Sequence, residues 1–251
     1  MNAGLSCRNV CVHYGAIRAV DNVSIEFDPG RIHSVIGPNG AGKTTLINVL
    51  SGRQMPQQGR VGLGDRDITT LSAHRRAGLG IGRSFQITKI FPELTVFENL
   101  RLAAQARIFG LQPFWRPVET YRELADAAEA MLDELDMRPL RERLAETLSH
   151  GDQRALEMGI TLATRPGILL LDEPLAGVGE NEIDRTMELI RRAARGRTVV
   201  LIEHNINAVM ALSDRIVVMN QGAVLAEGTP SDIRADAAVR QAYLGDQHAA
   251  A

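Results

Sequence analysis

Gly37-Pro-Asn-Gly-Ala-Gly-Lys-Thr-Thr45 is the stretch that decides how the rest of the chain is read. Gly37, Gly42, Lys43 and Thr44 fill every fixed position of G-x-x-x-x-G-K-[ST], a loop whose glycines let successive backbone N–H groups converge on one concavity. Residues 31–36, Arg-Ile-His-Ser-Val-Ile, read as an apolar strand before it, and 45–50 has helix character after it. The loop therefore sits at a strand-to-helix junction, where the helix dipole adds to the pull on an anion. A polyphosphate fits such a cradle, lined by Pro38, Asn39, Gly40, Ala41 and Thr45 between and beside the fixed positions. Lys43 reaches the β- and γ-phosphates as a point charge, and the Thr44 hydroxyl holds Mg²⁺. A glycine-rich turn before an ordinary helix would not need the Lys-Thr pair.

Composition bounds the rest. The 251 residues suit one large domain, or one domain carrying an inserted subdomain. A net charge of -2 gives no electrostatic case for nucleic acid. Of the cationic residues only Lys43 and Lys89 are lysines, and one of them lies in the phosphate loop. No apolar run approaches the roughly 20 residues that span a bilayer, and the first residues lack a signal peptide's apolar region, so a soluble, cytosolic chain is expected. Cys7 and Cys11 are the only cysteines. With no Cys-His pair at metal-ligand spacing elsewhere, they read as structural thiols of an N-terminal strand.

Along the chain, residues 5–13 and 19–27 alternate loosely and read as paired antiparallel strands leading into the loop. Tyr14 falls at the turn between them, where an aromatic face can stack on a purine or simply pack. Short strand patterns follow at 59–64 and 81–86, with a short helix at 71–77. The strand at 81–86 ends on Gln86, whose carbonyl oxygen can reach a metal or its water. From about 95 to 165 the pattern turns helical, over 95–108, 118–136 and 154–163, so an all-helical block of roughly 90–165 interrupts an α/β pattern. Between two of these helices, 109–117 is an aromatic loop. Ser149, in Leu148-Ser-His-Gly-Asp-Gln153, is placed as the N-cap of the third.

Residues 167–174, Gly-Ile-Leu-Leu-Leu-Asp-Glu-Pro, form a buried strand ending in two acids. If it neighbours the loop strand, Asp172 stands beside the phosphates and suits Mg²⁺, while Glu173 can orient and deprotonate an attacking water. A helix over 180–194 and a strand over 197–202 lead to His204, placed to donate to a γ-phosphate oxygen. A hairpin over 215–226 and helical segments to about 244 close the chain.

A phosphate loop, a strand ending in glutamine, a helical insert, Leu-Ser-x-Gly before a helix, Leu-Leu-Leu-Asp-Glu-Pro and a strand ending in histidine resemble, in that order, the ATP-binding-cassette ATPases. The resemblance covers essentially the whole chain. It implies one cassette domain over 1–251: an α/β phosphate-loop core, an N-terminal antiparallel β subdomain and an inserted helical subdomain. It further implies that Tyr14 stacks on adenine, that Gln86 acts at the metal and in catalysis, that Ser149, His150 and Gly151 form the signature, and that His204 is the switch histidine. ATP and Mg²⁺ are the implied ligands. More narrowly, Phe85-Gln86, Leu-Thr-Val-Phe-Glu-Asn-Leu100, Leu-Ser-His-Gly and Glu-Gly-Thr-Pro-Ser-Asp-Ile-Arg…Ala-Tyr-Leu-Gly245 are similar to the branched-chain amino acid and urea uptake subgroup. His150 and Asp152 depart from the commonest signature, Leu-Ser-Gly-Gly-Gln, and Gly179 stands where many members carry an aspartate.

The family works as head-to-tail dimers in which one subunit's phosphate loop and the other's signature helix sandwich one ATP. The resemblance thus implies an importer's ATPase on the cytoplasmic face of the inner membrane. Its partners would be transmembrane permeases, a second ATPase subunit and, indirectly, a periplasmic solute-binding protein, with no nucleic acid. Lipopolysaccharide export and a non-transport cassette in DNA repair or translation are the alternatives. A GTPase is disfavoured, since no Asn-Lys-x-Asp motif occurs.

Overall fold

The computed structural model describes residues 4–84, 90–108 and 122–241. Gln86 and the aromatic loop lie outside the described residues. The chain divides into two compact units, Met1–Arg83 with Gly167–Glu173 and Ala194–Ala251, and Ser84–Pro166 with Pro174–Ala193.

The first unit holds two sheets. One is a four-stranded antiparallel sheet of β1 (Leu5–Tyr14), β2 (Ile17–Phe27), β4 (Gln58–Leu63) and the two-residue β5 (Arg66–Asp67), in the order β2-β1-β4-β5. The other comprises β3 (Ile32–Ile36), β6 (Ile81–Arg83), β7 (Ile168–Asp172), β8 (Thr198–Ile202), β9 (Arg215–Asn220) and β10 (Ala223–Gly228), ordered β10-β9-β3-β8-β7-β6. All of its pairings are parallel except that of the edge strand β10. Every residue of β3, β7 and β8 is buried. That is why these strands read as continuous apolar runs, the mark of a parallel sheet covered on both faces. Phe27, Leu46, Leu50, Ile68, Leu170 and Val200 belong to one core that joins both sheets to α1 (Lys43–Leu50).

The last turn of α1 has an unusual stopper. Arg76, in α2 (Ala73–Gly78), is fully buried and donates to the carbonyls of Val49 (2.6 Å), Leu50 (2.8 Å), Thr69 (2.9 Å) and Leu71 (3.0 Å). A guanidinium thus satisfies carbonyls that the helix end leaves orphaned, at its negative pole. Burial pushes the Arg76 pKa down, and the Asp67 carboxylate opposes that shift.

The second unit is helical: α3 (Val96–Ile108), α4 (Arg122–Glu134), α5 (His150–Ala163) and α6 (Glu180–Ala194). Thr95 and Glu98 form a reciprocal capping box that starts α3, with Thr95 N–H to Glu98 Oε2 at 2.8 Å and Glu98 N–H to Thr95 Oγ1 at 3.1 Å. Leu100, Leu124, Ala128, Leu132, Leu135 and Leu156 make its core. Gly159 is needed where α5 packs closest, because a Cβ there would lie 2.3 Å from Leu135 Cδ1 and 2.9 Å from Leu100 Cδ2.

The α/β class read from the sequence is the class observed, with differences at element ends. The strand expected over 81–86 ends at Arg83. The helix expected from 154 starts at His150, because Ser149 caps it directly and Gly151 is its second residue. The short α7 (Ile206–Leu212) had no sequence signal beyond its cap, Asn205, whose side chain accepts the Ala208 N–H at 3.0 Å.

Candidate nucleotide site

The loop over 37–42 is shaped by close approach as much as by turning. Gly37 has φ 151° and Gly42 has φ 99°. A Cβ on either would lie 2.1 Å from a carbonyl oxygen, that of Met219 for Gly37 and that of Ala19 for Gly42. Only glycine fits at those two positions. Gly42 is the N-cap of α1, so the loop empties onto a helix N-terminus. Lys43 is buried and donates to the carbonyls of Gly37 (2.8 Å) and Pro38 (3.0 Å), which curls the loop around its ammonium. Burial pushes the Lys43 pKa down, while the Glu173 and Asp172 carboxylates push it back up. Ala41 is buried, Pro38 and Thr45 are half-buried, and Asn39, Gly40 and Thr44 are exposed, so the Thr44 hydroxyl is free to meet a ligand.

The acidic pair is brought to this sheet edge with one correction to the sequence reading. Strands β3 and β7 are not direct neighbours, since β8 lies between them. The intervening strand is the one that delivers His204. Asp172 pairs in register with Ile202, and the Glu173 N–H donates to the Ile202 carbonyl at 2.9 Å, so Glu173 and His204 leave adjacent strand ends together. The His204 Nε2 lies 2.7 Å from Glu173 Oε1. Glu173 has φ 52°, a left-handed backbone uncommon for a side-chain-bearing residue. Strain of this kind persists where the surroundings impose it.

Asp172 is buried and held by a residue that sequence reasoning passed over. Arg83 donates through Nη2 to Asp172 Oδ2 at 2.9 Å, and through Nη1 to Asn48 Oδ1 (2.7 Å) and Ser51 Oγ (2.9 Å). The pair is almost fully enclosed, with side chains 9% and 2% exposed. Burial lowers the Arg83 pKa, opposed by its hydrogen bond to Asp172. One carboxylate oxygen is thus fixed, and Oδ1 remains for a ligand. A buried carboxylate and an exposed threonine hydroxyl are hard oxygen donors of the sort Mg²⁺ takes.

Tyr14 ends β1 at the hairpin tip and is 50% exposed, presenting its ring to solvent. The remaining predicted residues lie in the helical unit. Ser149 caps α5, accepting the Asp152 N–H at 3.1 Å and donating to Asp152 Oδ2 at 2.9 Å. His150 is exposed and Gly151 buried. From α6, Arg185 Nη1 pairs with Asp152 Oδ1 at 2.9 Å. Glu182 Oε1 stands 3.4 Å from the Ser149 hydroxyl, and its Oε2 would be 2.5 Å from a Cβ at Gly151. The start of α5 is therefore open to solvent on the Ser149–His150 side and backed by α6 on the other.

A family model described as ABC transporter matches residues 20–176, and a second, described as branched-chain amino acid ATP-binding cassette transporter, matches 223–249. The chain belongs to the ATP-binding-cassette transporter family. The cassette is 41% identical over 252 residues to the high-affinity branched-chain amino acid transport ATP-binding protein BraF of Pseudomonas aeruginosa, covering 96% of this chain and 98% of that one. It is 40% identical over 251 residues to LivG of Escherichia coli, with the same coverage. The lipopolysaccharide export ATP-binding protein LptB of Escherichia coli is 34% identical over 247 residues, covering 97% and 98%. Among solved structures, the ADP conformation of the cassette MJ1267 superposes with a TM-score of 0.84 at 31% identity, covering 97% and 99% of the two chains. The dimeric cassette MJ0796 superposes with a TM-score of 0.76 at 25% identity, covering 90% and 98%.

The cassette is thus an ATPase. Two arginines that hold carboxylates near the predicted residues escaped the sequence reading for one reason. The tasks of Arg83 and Arg185 are set by partners far along the chain, Asp172 and Asp152, and no local pattern marks an arginine as the one that holds a particular carboxylate. A strand-end arginine three residues before Gln86 was the available signal for Arg83.

Proposed function

We propose that this cassette is the ATP-hydrolysing subunit of a membrane importer for branched-chain or closely related amino acids, working as a dimer beneath transmembrane permeases on the cytoplasmic face of the membrane. The observation that carries the solute class is the 40–41% identity to BraF and LivG over nearly the whole chain, together with the C-terminal family match. Lipopolysaccharide export, at 34% identity to LptB, is the weaker reading. The whole of 1–251 serves as one cassette in which a helical subdomain of about 90–165 is inserted in the α/β core.

The site residues take these roles. Tyr14 stacks on adenine, and residues 37–45 wrap the phosphates with Lys43 swinging from the loop carbonyls to the β- and γ-oxygens. Thr44, Asp172 and Gln86 are the residues that would hold Mg²⁺, which when bound neutralises charge on the β- and γ-phosphates. Glu173 accepts a proton from the attacking water, and His204, bonded to the same carboxylate, keeps it aimed and contacts the γ-phosphate. Ser149, His150 and Gly151 serve the nucleotide of the partner subunit. A phosphate loop alone leaves one side of the γ-phosphate in water, and a second helix N-terminus closes it.

Phe91 is 52% exposed, with its backbone held by Asn99 through bonds of 2.8 and 3.0 Å, and it offers an apolar side chain for a permease to seat on. The test is leucine uptake into proteoliposomes holding the cassette with its permeases, beside ATPase activity of the same preparation. F91E is expected to keep hydrolysis and lose uptake. A parallel decline would place the segment in the catalytic site, and uptake of no branched-chain amino acid by the wild type would remove the proposed solute.

A further inference from the structure

Cys11 and His13 lie two residues apart on β1, and the irregular pairing of β1 with β2 around them brings Asp21 to both. The Cys11 thiol, one imidazole nitrogen of His13 and one Asp21 carboxylate oxygen lie within 4.8 Å of one another. His13 Nε2 is shielded from solvent and lacks a hydrogen-bond partner among the described residues, standing 3.9 Å from Asp21 Oδ1, too far for a bond between them. Ligand atoms about 2.1 Å from a tetrahedral Zn²⁺ sit roughly 3.4 Å apart, so a modest closure of side-chain torsions suffices.

What surrounds the three groups orients them. Asp21 Oδ2 accepts from Arg18 Nη1 at 3.0 Å, which turns Oδ1 toward His13. The Asn22 N–H donates to Cys11 Sγ at 3.2 Å, and the thiol in turn donates to the Asn9 carbonyl at 3.8 Å, contacts that hold the side chain in place. Gln57 bonds both the N–H and the carbonyl of His13, at 3.1 and 2.9 Å, and the Asp21 N–H is tied to the Gly222 carbonyl at 2.8 Å. Outer contacts of this sort are what fix metal ligands in place.

We propose that Cys11, His13 and Asp21 form a site for a borderline divalent transition metal, of which Zn²⁺ is the best match to a sulfur, nitrogen and oxygen donor set. Three protein ligands leave one position for water, so the metal is exchangeable. Its residues are distinct from those proposed for Mg²⁺, and it straps β1 to β2 next to Tyr14 at the hairpin tip.

The test uses the untagged, nucleotide-free full chain with Co²⁺ as the probe, because a thiolate–cobalt bond gives a charge-transfer absorption band. A saturable band with one Co²⁺ per chain, bleached by Zn²⁺, is expected. C11S is expected to lose it and C7S to keep it, since Cys7 is fully buried and burial pushes its thiol to about 12. H13A and D21N are expected to weaken Zn²⁺ binding by at least on the order of tenfold, measured by competition with a chelating dye. No band in the wild type, or an equal band in C11S, overturns the site. Should C11S not fold, H13A decides: unchanged Zn²⁺ affinity in that variant overturns it equally. Nucleotide affinity measured on the same samples reports separately on the ATPase reading.

Discussion

The sheet edge at Asp172 and the helix start at Ser149 are both proposed to meet a phosphate, yet they are built in opposite ways. At the sheet edge the charged groups are already engaged within the protein, while the Thr44 hydroxyl and Asp172 Oδ1 are left for a ligand. Lys43 holds loop carbonyls, Arg83 holds Asp172, and His204 holds Glu173, all over buried strands. At the helix start Ser149 and His150 are exposed, and Ser149 faces two carboxylates with a single hydroxyl proton to give. The first arrangement suits chemistry, which gains from dipoles fixed before the reaction. The second suits a contact made and released once per cycle, since an exposed polar cluster exchanges protein partners for ligand at small cost.

Substitutions can break that contrast, and the largest effect belongs to the sheet edge. E173Q preserves shape and the bond to His204 but cannot take a proton, so turnover should fall about 10²- to 10⁴-fold while ATP affinity holds. Single-turnover hydrolysis beside nucleotide titration measures both; near-normal hydrolysis would remove Glu173 as the base. R83M leaves the buried Asp172 carboxylate unpaired, which should cost about 3–5 kcal/mol of folding stability by urea unfolding. A cost below about 1 kcal/mol would mean that water already shares the site, and the sheet edge would not be the sealed structure described.

On the open side, S149A should lower turnover of the assembled ATPase by about 10²-fold, the order seen when one fixed donor to developing charge is lost, with ATP affinity of the isolated chain unchanged. Equal loss of affinity in the isolated chain would place Ser149 on its own subunit's nucleotide. R185A, removing an ion pair whose arginine is half exposed, should cost only about 0.2–1 kcal/mol. A larger cost would show that the helix start is held no less firmly than the sheet edge.

A smaller, pH-dependent sign of the same contrast lies under the phosphate loop. His33 on β3 is fully buried against Phe27, and neither ring nitrogen makes a well-formed hydrogen bond among the described residues. Burial pushes its pKa below the ordinary 6.5, opposed by the Asp28 carboxylate. The unfolded chain therefore binds the proton first as pH falls. His33's contribution is intact above 6.5 and is lost below it, with a slope of at most about 1.4 kcal/mol per pH unit. Urea midpoints at neutral and mildly acidic pH should diverge less for H33L than for the wild type; parallel behaviour would show that His33 is not the titrating group.

What was legible in the sequence was whatever sits in contiguous residues. The loop over 37–45, the apolar run ending in Asp172 and Glu173, and the span of α6 each carry their own local pattern. The two-residue β5 and the seven-residue α7 were too short for periodicity to register. The interposition of β8 between β3 and β7 is a fact of sheet order, which no strand encodes by itself. Likewise Arg76 reads as a surface arginine of a short helix until the end of α1 is placed against it, and Asp21 joins Cys11 and His13 only through the pairing of two strands.

The bond between Asp152 and Arg185 reaches further than its small energy suggests. Residue 152 departs from the glutamine commonest in the signature, and here its carboxylate ties the start of α5 to α6. Helix α6 is itself the continuation, through residues 174–179, of the strand end that carries Glu173. In the proposed dimer, the helix that one subunit offers to its partner's nucleotide is therefore geared, through α6, to the stretch of chain that follows its own proposed base. Loosening that gear by R185A would let the two ATP molecules be cleaved out of step while each site, tested singly, still worked.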